Sequence, residues 1–374
     1  MATWIWNGST NDWGVATNWK AVSIRNADYQ WTVSGSGTDE YYLEAAGGGN
    51  PNINQPENVY EGGAVMTPGT AGSLAAGEED WADNDTLGFS TVYVRLTSGA
   101  ADPDSRALDH VTYDDIPATN DTVVITDNAQ AIGAGLDQNA VTLTELVIDQ
   151  SYTGQIGSGV DSWLEIEATT VNIGQHTGGG QPSGPGRVNL NLGSGTASTI
   201  NVWNSASVAT DTNRKPIRLL IINASANLNV NGGQVALADE HGDKSTVSTV
   251  TIDGGGCEVG TDVTITTLTA SGGTSTLDSA TTNLNVRGGT VTTSGSGAVT
   301  TATVDAGTLN SNSTGTITTL NANGGTSDFT QNRAARTVTT LNATKGASLR
   351  LHPNITLTNE INNNENEDVT VSFT

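Results

Sequence analysis

"VTTATVDAGTLNSNSTGT" runs from Val299 to Thr316, "ITTLNANGGTSDFTQNRAART" from Ile317 to Thr337, and "VTTLNATKGASLRLHPN" from Val338 to Asn354. The three phrases repeat one pattern. Leu320 and Ala322 alternate with Thr319, Asn321 and Asn323, as Leu284 and Val286 do in an earlier phrase and Leu341 and Ala343 in a later one. Period two is strand geometry. The glycines that follow supply the positive φ of a tight turn. A second short strand comes next, "TVTT" (290–293) or "SDF" (327–329). Aligned on that turn, "LTASGGT" ends at Thr274, "LNVRGGT" at Thr290, "TVDAGT" at Thr308, "LNANGGT" at Thr326 and "LNATKGA" at Ala347, in steps of 16, 18, 18 and 21 residues.

Each phrase is therefore one rung of a coil, and the spacing predicts an all-β parallel β-helix or β-solenoid with rungs of about 16–21 residues. Looser copies stand upstream, "LNVNGGQVAL" around Gly233 and "VTIDGGGCEV" around Gly255; "VTLTELVI" and "TTVNIG" keep the strand pattern without the glycine pair. A β-sandwich with Thr-rich strands is the alternative, but its strands would not align with one another in sequence.

Composition agrees with a thin, stacked core. The 374 residues contain 45 Gly, 35 % hydrophobic and 5 % aromatic residues, too few large apolar side chains for one thick globular core. With 14 basic and 39 acidic residues the formal charge is −25, and no basic stripe of the kind a nucleic-acid binder needs is present. One cysteine, Cys257, excludes an intrachain disulfide and reads as a small buried hydrophobe. "MATWIWNGST" has neither a basic n-region nor an apolar h-region, and no run of about 18 apolar residues occurs, so neither a Sec leader nor membrane insertion is expected.

Four zones separate. Residues 1–20 carry Trp4, Trp6, Trp13 and Trp19 and read as an N-terminal cap. Residues 21–115 hold six of the seven tyrosines and sixteen acids against three arginines, an inserted acidic β module for attachment or binding. Residues 116–355 are the solenoid. Residues 356–374, "NEINNNENEDVTVSFT" at their end, are a C-terminal cap or tail.

"WNGSTNDWGVATNW" (6–19) followed by "IPATNDTVVI" (116–125) has the form W-x-G, D-W, N-W, then P-x-x-x-D-x-V-x-I. The matching residues are Trp6, Gly8, Asp12, Trp13, Asn18, Trp19, Pro117, Asp121, Val123 and Ile125. This opening resembles that of autotransporter-associated β-strand repeat proteins and of β-helical phage virion proteins (head decoration, head-fibre or tail-fibre) with Thr/Asn/Gly rungs. The resemblance implies that the tryptophans cover the open end of the coil and that "DTVVI" is its first strand. The chain departs from the pattern between Trp19 and Pro117, where nearly a hundred residues replace a linker of about ten. That insert resembles a module of phage tail and fibre proteins.

Within the insert, Trp31, Tyr41, Tyr42, Tyr60, Trp81 and Tyr93 offer aromatic faces for an attachment surface or a glycan, unless they are the core of a small β-domain. "GEEDWADND" gathers Glu78, Glu79, Asp80, Asp83 and Asp85, an oxygen-rich stretch that suggests calcium, the one metal or cofactor to consider. It is not an EF-hand loop. Asp278, Asp305 and Asp328 lie at different offsets from their glycine turns, out of phase for the paired acids of a polysaccharide-cutting tailspike. Asp239, Glu240, His241 and Asp243 in "LADEHGDKS" read as a solvated loop between rungs, and "GGGQPSGPG" (178–186) as a surface loop. No G-x-S-x-G elbow is present and the four histidines stand apart, so neither a nucleophile nor a zinc site is expected.

The expectation is a non-enzymatic structural component of a bacteriophage virion, on the exterior of a particle assembled in the host cytoplasm. Its expected partners are capsid or tail proteins, other copies of itself in a homotrimer by analogy with fibres, and a host surface glycan. A bacterial cell-surface adhesin and a tailspike depolymerase are the alternatives.

Overall fold

The computed structural model describes residues 3–6, 8, 10–21, 29–45, 59–62, 64–82, 91–98, 102–103, 111–113, 116–126, 130–159, 161–175, 184–193, 198–207, 214–239, 243–344, 346–359, 362–363 and 370–373. Two parallel ladders run through the chain. The first starts with Thr3–Trp6 beside Thr122–Ile125 and ends with Arg336–Ala343 beside Ile355–Leu357 and Asn362–Asn363. The second runs from Gln155–Ile156 to Ser348–Leu351 beside Thr370–Phe373. From Leu164–Gln175 to Ser348–Leu351 the chain alternates between them, the strands pairing with the next but one, as a β-solenoid requires.

The predicted steps recur in the register. Thr274, Thr290, Thr308 and Thr326 are successive Cα partners, and Thr326 pairs with Ser348, one residue beyond the expected Ala347. Upstream rungs are longer, with Ile173 opposite Val202 and Val202 opposite Val230. Inward positions are aliphatic and sealed: Leu284, Val286, Val291, Ala302, Val304 and Leu309 are all fully buried. Each large aliphatic side chain so buried contributes about 1.5–3 kcal/mol.

In Thr281–Val286, Val299–Val304 and Ile317–Ala322 the buried residues are the first, fourth and sixth. The second residue (Thr282, Thr300, Thr318) is exposed and skipped by the ladder register, so each strand turns a corner there. Beyond the corner the outward pairs stack as Thr249/Thr251, Thr267/Thr269, Asn283/Asn285, Thr301/Thr303, Thr319/Asn321 and Thr340/Asn342. The amides bond along the column. Asn201 donates to Asn172 at 2.9 Å, Asn229 to Asn201 at 2.9 Å and Asn342 to Asn321 at 2.8 Å.

The opening motif closes the N-terminal end. Trp4, Trp6, Trp13 and Trp19 are buried, and Trp19 meets Trp6 and Trp13 edge to face at 4.9 and 4.5 Å. Trp4 Nε1 donates to Asp121 at 2.8 Å. Buried Asn18 ties the loop, donating to Thr10 Oγ1 and the Asp12 carbonyl and accepting from the Thr10 amide at 2.6–2.7 Å. The cap is also a strand of the solenoid: Thr3–Ile5 pair with Thr122–Val124.

The described residues of the C-terminal segment extend both ladders by a further rung, with Thr370–Phe373 paired beside Ser348–Leu351.

Rungs of equal length should be interchangeable. Deleting residues 299–316 joins Ala298 to Ile317, the register partner of Val299. The shortened protein is expected to fold, to melt in one transition, and to be shorter by about 4.8 Å, one strand spacing. Circular dichroism melting with small-angle scattering checks this; a non-cooperative melt would contradict interchangeable rungs.

Candidate functional site

The insert forms two sheets. Tyr29–Val33, Tyr41–Ala45, Thr91–Arg95, Glu78–Ala82 and Thr67–Pro68 make one; Val111–Tyr113, Val59–Glu61 and Ala64–Val65 make the other. Alternation places Trp31 opposite Leu43 and Tyr41 opposite Val94, on a face whose described side chains include buried Val92 and Val94. Trp31, Tyr41 and Tyr93 are 9, 8 and 7 % exposed; Trp31 and Tyr41 belong to the packed core, while Tyr93, opposite Tyr42, lies on the other face of the sheet. Burial leaves these three rings little surface for contact. Tyr42, Tyr60 and Trp81 are half-buried, and Trp81, opposite Val92, packs against the core on the same face as Trp31 and Tyr41. Tyr42 lies opposite Tyr93, ring centroids 5.8 Å apart, and Tyr60 lies opposite Val65, itself 59 % exposed.

The acids of this module hold its loops. Fully buried Glu40 accepts from the Gly72 amide at 2.8 and 3.0 Å. Glu78 accepts from Ala75 N at 2.7 Å, Asp80 from Ala71 N at 2.8 Å, and Glu61 from Thr97 N at 2.8 Å. A carboxylate that accepts amide hydrogens satisfies turn donors that would otherwise be lost to burial. Glu78, Glu79 and Asp80 lie on a strand rather than a loop, so Glu79 points away from the other two. Asp83 and Asp85 lie outside the described residues. Among the described residues no group of three or more His, Cys, Asp or Glu is gathered to hold a metal.

The two faces of the solenoid differ in charge. The six stacked outward pairs from Thr249 to Asn342 contain only Thr and Asn. The short-strand face carries Arg218, Glu258, Asp328 and Arg350. Buried Arg218 forms a bidentate pair with Asp239, Nε to Oδ2 3.1 Å and Nη2 to Oδ1 2.9 Å, and its guanidinium lies 4.8 Å from the Trp163 ring centroid. Asp239 is thus a structural partner rather than part of a solvated loop. Glu240, His241 and residues 178–183 of the glycine-rich stretch lie outside the described residues. A charged residue in the middle of the apolar "IRLL" was the available signal for the clamp. Asp278 accepts from Ser294, Asp305 from Asn323 at 2.9 Å, and Asp328 pairs with Arg350 at 2.8 Å, so the three acids stand in different columns beside non-acidic neighbours.

Burial raises three carboxyls above their ordinary values: Glu79, with Asp80 adding to the effect, Asp243, and Asp278. The folded state then holds more protons than the unfolded state from the ordinary values of 4.5 and 3.8 up to the raised ones. Stability should therefore rise on acidification through that window and fall as pH increases, with relief of self-repulsion at −25 acting in the same direction. Melting temperatures from neutral pH down to about 5 check the sign, and Asp278→Asn should flatten the slope.

Burial also pushes the Cys257 thiol up to about 12, in keeping with the inert, buried cysteine expected from sequence. No protein-family model, curated protein or solved structure matches the chain.

Proposed function

We propose that the chain is a non-enzymatic structural component of a bacteriophage virion, a projecting decoration or fibre protein. The observation that carries this reading is the two parallel ladders, one from Thr3 to Asn363 and the other from Gln155 to Phe373. At about 4.8 Å per rung, thirteen successive levels make a stiff element about 60 Å long. Strand backbone groups within such a rod are paired to the neighbouring rungs, which resists local opening and proteolysis. The W-x-G, D-W, N-W opening and the Thr/Asn/Gly rungs supply the virion context by resemblance.

In this reading the solenoid is the shaft. The inserted module contacts capsid or tail protein or a host glycan through Tyr42 and Tyr60, and copies associate as a homotrimer. Cryo-electron microscopy of particles with the gene intact and disrupted tests it. Density lost from the capsid surface or the tail is the expected result. Particles indistinguishable with and without the gene would overturn it in favour of a cell-surface adhesin.

A further inference from the structure

The short-strand face is interrupted at one rung. On Gly256–Val259 the outward positions are Gly256 and Glu258, with Gln234 and Ala236 on the rung before and Thr274 and Thr276 on the rung after. Thr290 and Thr292 follow. Gly256 has no side chain, and the Gln234 amide fills its place in the column: a Cβ there would meet Gln234 Oε1 at 2.4 Å. Beside it, over the rungs that follow, is a solvent-open hollow of about 170 Å³, lined by Lys215, Glu258 and the four threonines, with Cys257 and Ser275 behind. Its volume equals the liquid share of about five or six water molecules, room for one hydroxylated ring.

The charges around it are held apart. Lys215 Nζ donates to Gln234 Oε1 at 2.9 Å, whereas the Glu258 carboxylate has no hydrogen bond or ion pair among the described residues. On the same face Arg218 has Asp239 and Arg350 has Asp328. A lone surface glutamate is ordinarily just solvated. Here it converges with an ammonium and four hydroxyls on one solvent-open hollow, with Glu258 and the threonines carried on paired strands.

We propose that this hollow is a subsite for one neutral sugar residue of a polysaccharide. The ring hydroxyls donate to Glu258 and accept from Lys215, and the threonines serve in either sense. The open side lets the rest of the glycan continue along the face. An acidic sugar or a phosphate is disfavoured by Glu258 and by the net charge of −25. Among the described residues no aromatic ring lines the hollow for stacking, so affinity falls in the millimolar range. The site is separate from the inserted module and does not depend on the virion reading.

Ligand-observed NMR on the full chain tests it. The probes are the methyl glycosides of glucose, galactose, mannose and N-acetylglucosamine, with glucuronate and free lysine as charged counter-probes. Saturable binding of at least one neutral glycoside is expected, weakened at least about tenfold in Glu258→Gln and in Thr276→Val and unchanged in Asp305→Asn outside the hollow. Unaltered melting of the variants separates lost binding from lost fold. No saturable binding by any neutral glycoside, equal binding by all variants, or preference for glucuronate or lysine would overturn the proposal.

Discussion

Gly307→Ala is expected to destabilise the protein by about 2–4 kcal/mol, and Gly307→Val by more. Two effects combine at this position. Gly307 has φ +71°, the left-handed region, where a side chain costs about 1–2 kcal/mol. A Cβ would also stand 2.6 Å from the Gly289 carbonyl oxygen and 2.7 Å from the Gly288 carbonyl carbon. These are backbone atoms, so no rotamer change relieves the contact. The same carbonyl accepts from Thr308 N at 2.9 Å, so moving the rungs apart breaks the ladder at the turn. The geometry repeats: Cβ atoms at Gly255, Gly273, Gly289 and Gly325 would lie 2.2–2.5 Å from the carbonyl oxygen of the preceding turn glycine.

Gly346 provides the matched control. Its φ is +86°, but a Cβ there meets nothing within 4 Å. Gly346→Ala should show the left-handed strain alone, about 1–2 kcal/mol. Urea unfolding of the two alanine variants separates strain from close approach. Equal losses would mean that the glycine column is selected for its φ and not for rung contact.

That column explains why the C-terminal rungs were legible in sequence. A turn that admits only glycine, at a fixed offset from an alternating strand, leaves a mark at every rung from Gly255 to Gly325. Features that depend on packing leave no such mark. The corner at Thr282, Thr300 and Thr318 breaks the period-two pattern by one residue, which a short strand can conceal. The upstream rungs share strands and register with the later ones, yet the residues added between strands blur their spacing. In the insert, aromatic content predicted a surface but not which side of each strand is covered. Trp31 and Tyr41 face inward while Tyr42, between Tyr41 and Leu43, does not. The hollow beside Glu258 was hidden for a related reason, since its lining residues come from separate rungs that meet only in the fold.

Trp19→Ala should have the other large effect, about 3–5 kcal/mol, but a local one. The ring is fully buried, its Nε1 donates to the Trp13 carbonyl at 2.8 Å, and its removal leaves a cavity between Trp6 and Trp13. Trp19 lies opposite Trp6 in the antiparallel pairing of Trp19–Ala21 with Thr3–Trp6. Loosening that pair frees Thr3–Trp6 from Thr122–Ile125 and leaves the first solenoid strand with a neighbour on one side only. Because rungs contact only their neighbours, the damage should fade with distance along the coil. Hydrogen exchange is the measurement. Amides of Thr122–Ile125 should lose protection in Trp19→Ala while those of Val299–Val304 and Ile317–Ala322 keep theirs, and Trp19→Phe should fall between the variant and the parent. Uniform loss across all rungs would mean that the coil unfolds as a single unit nucleated at the cap. In that case the tryptophans do more than cover an end: they set the stability of the whole shaft.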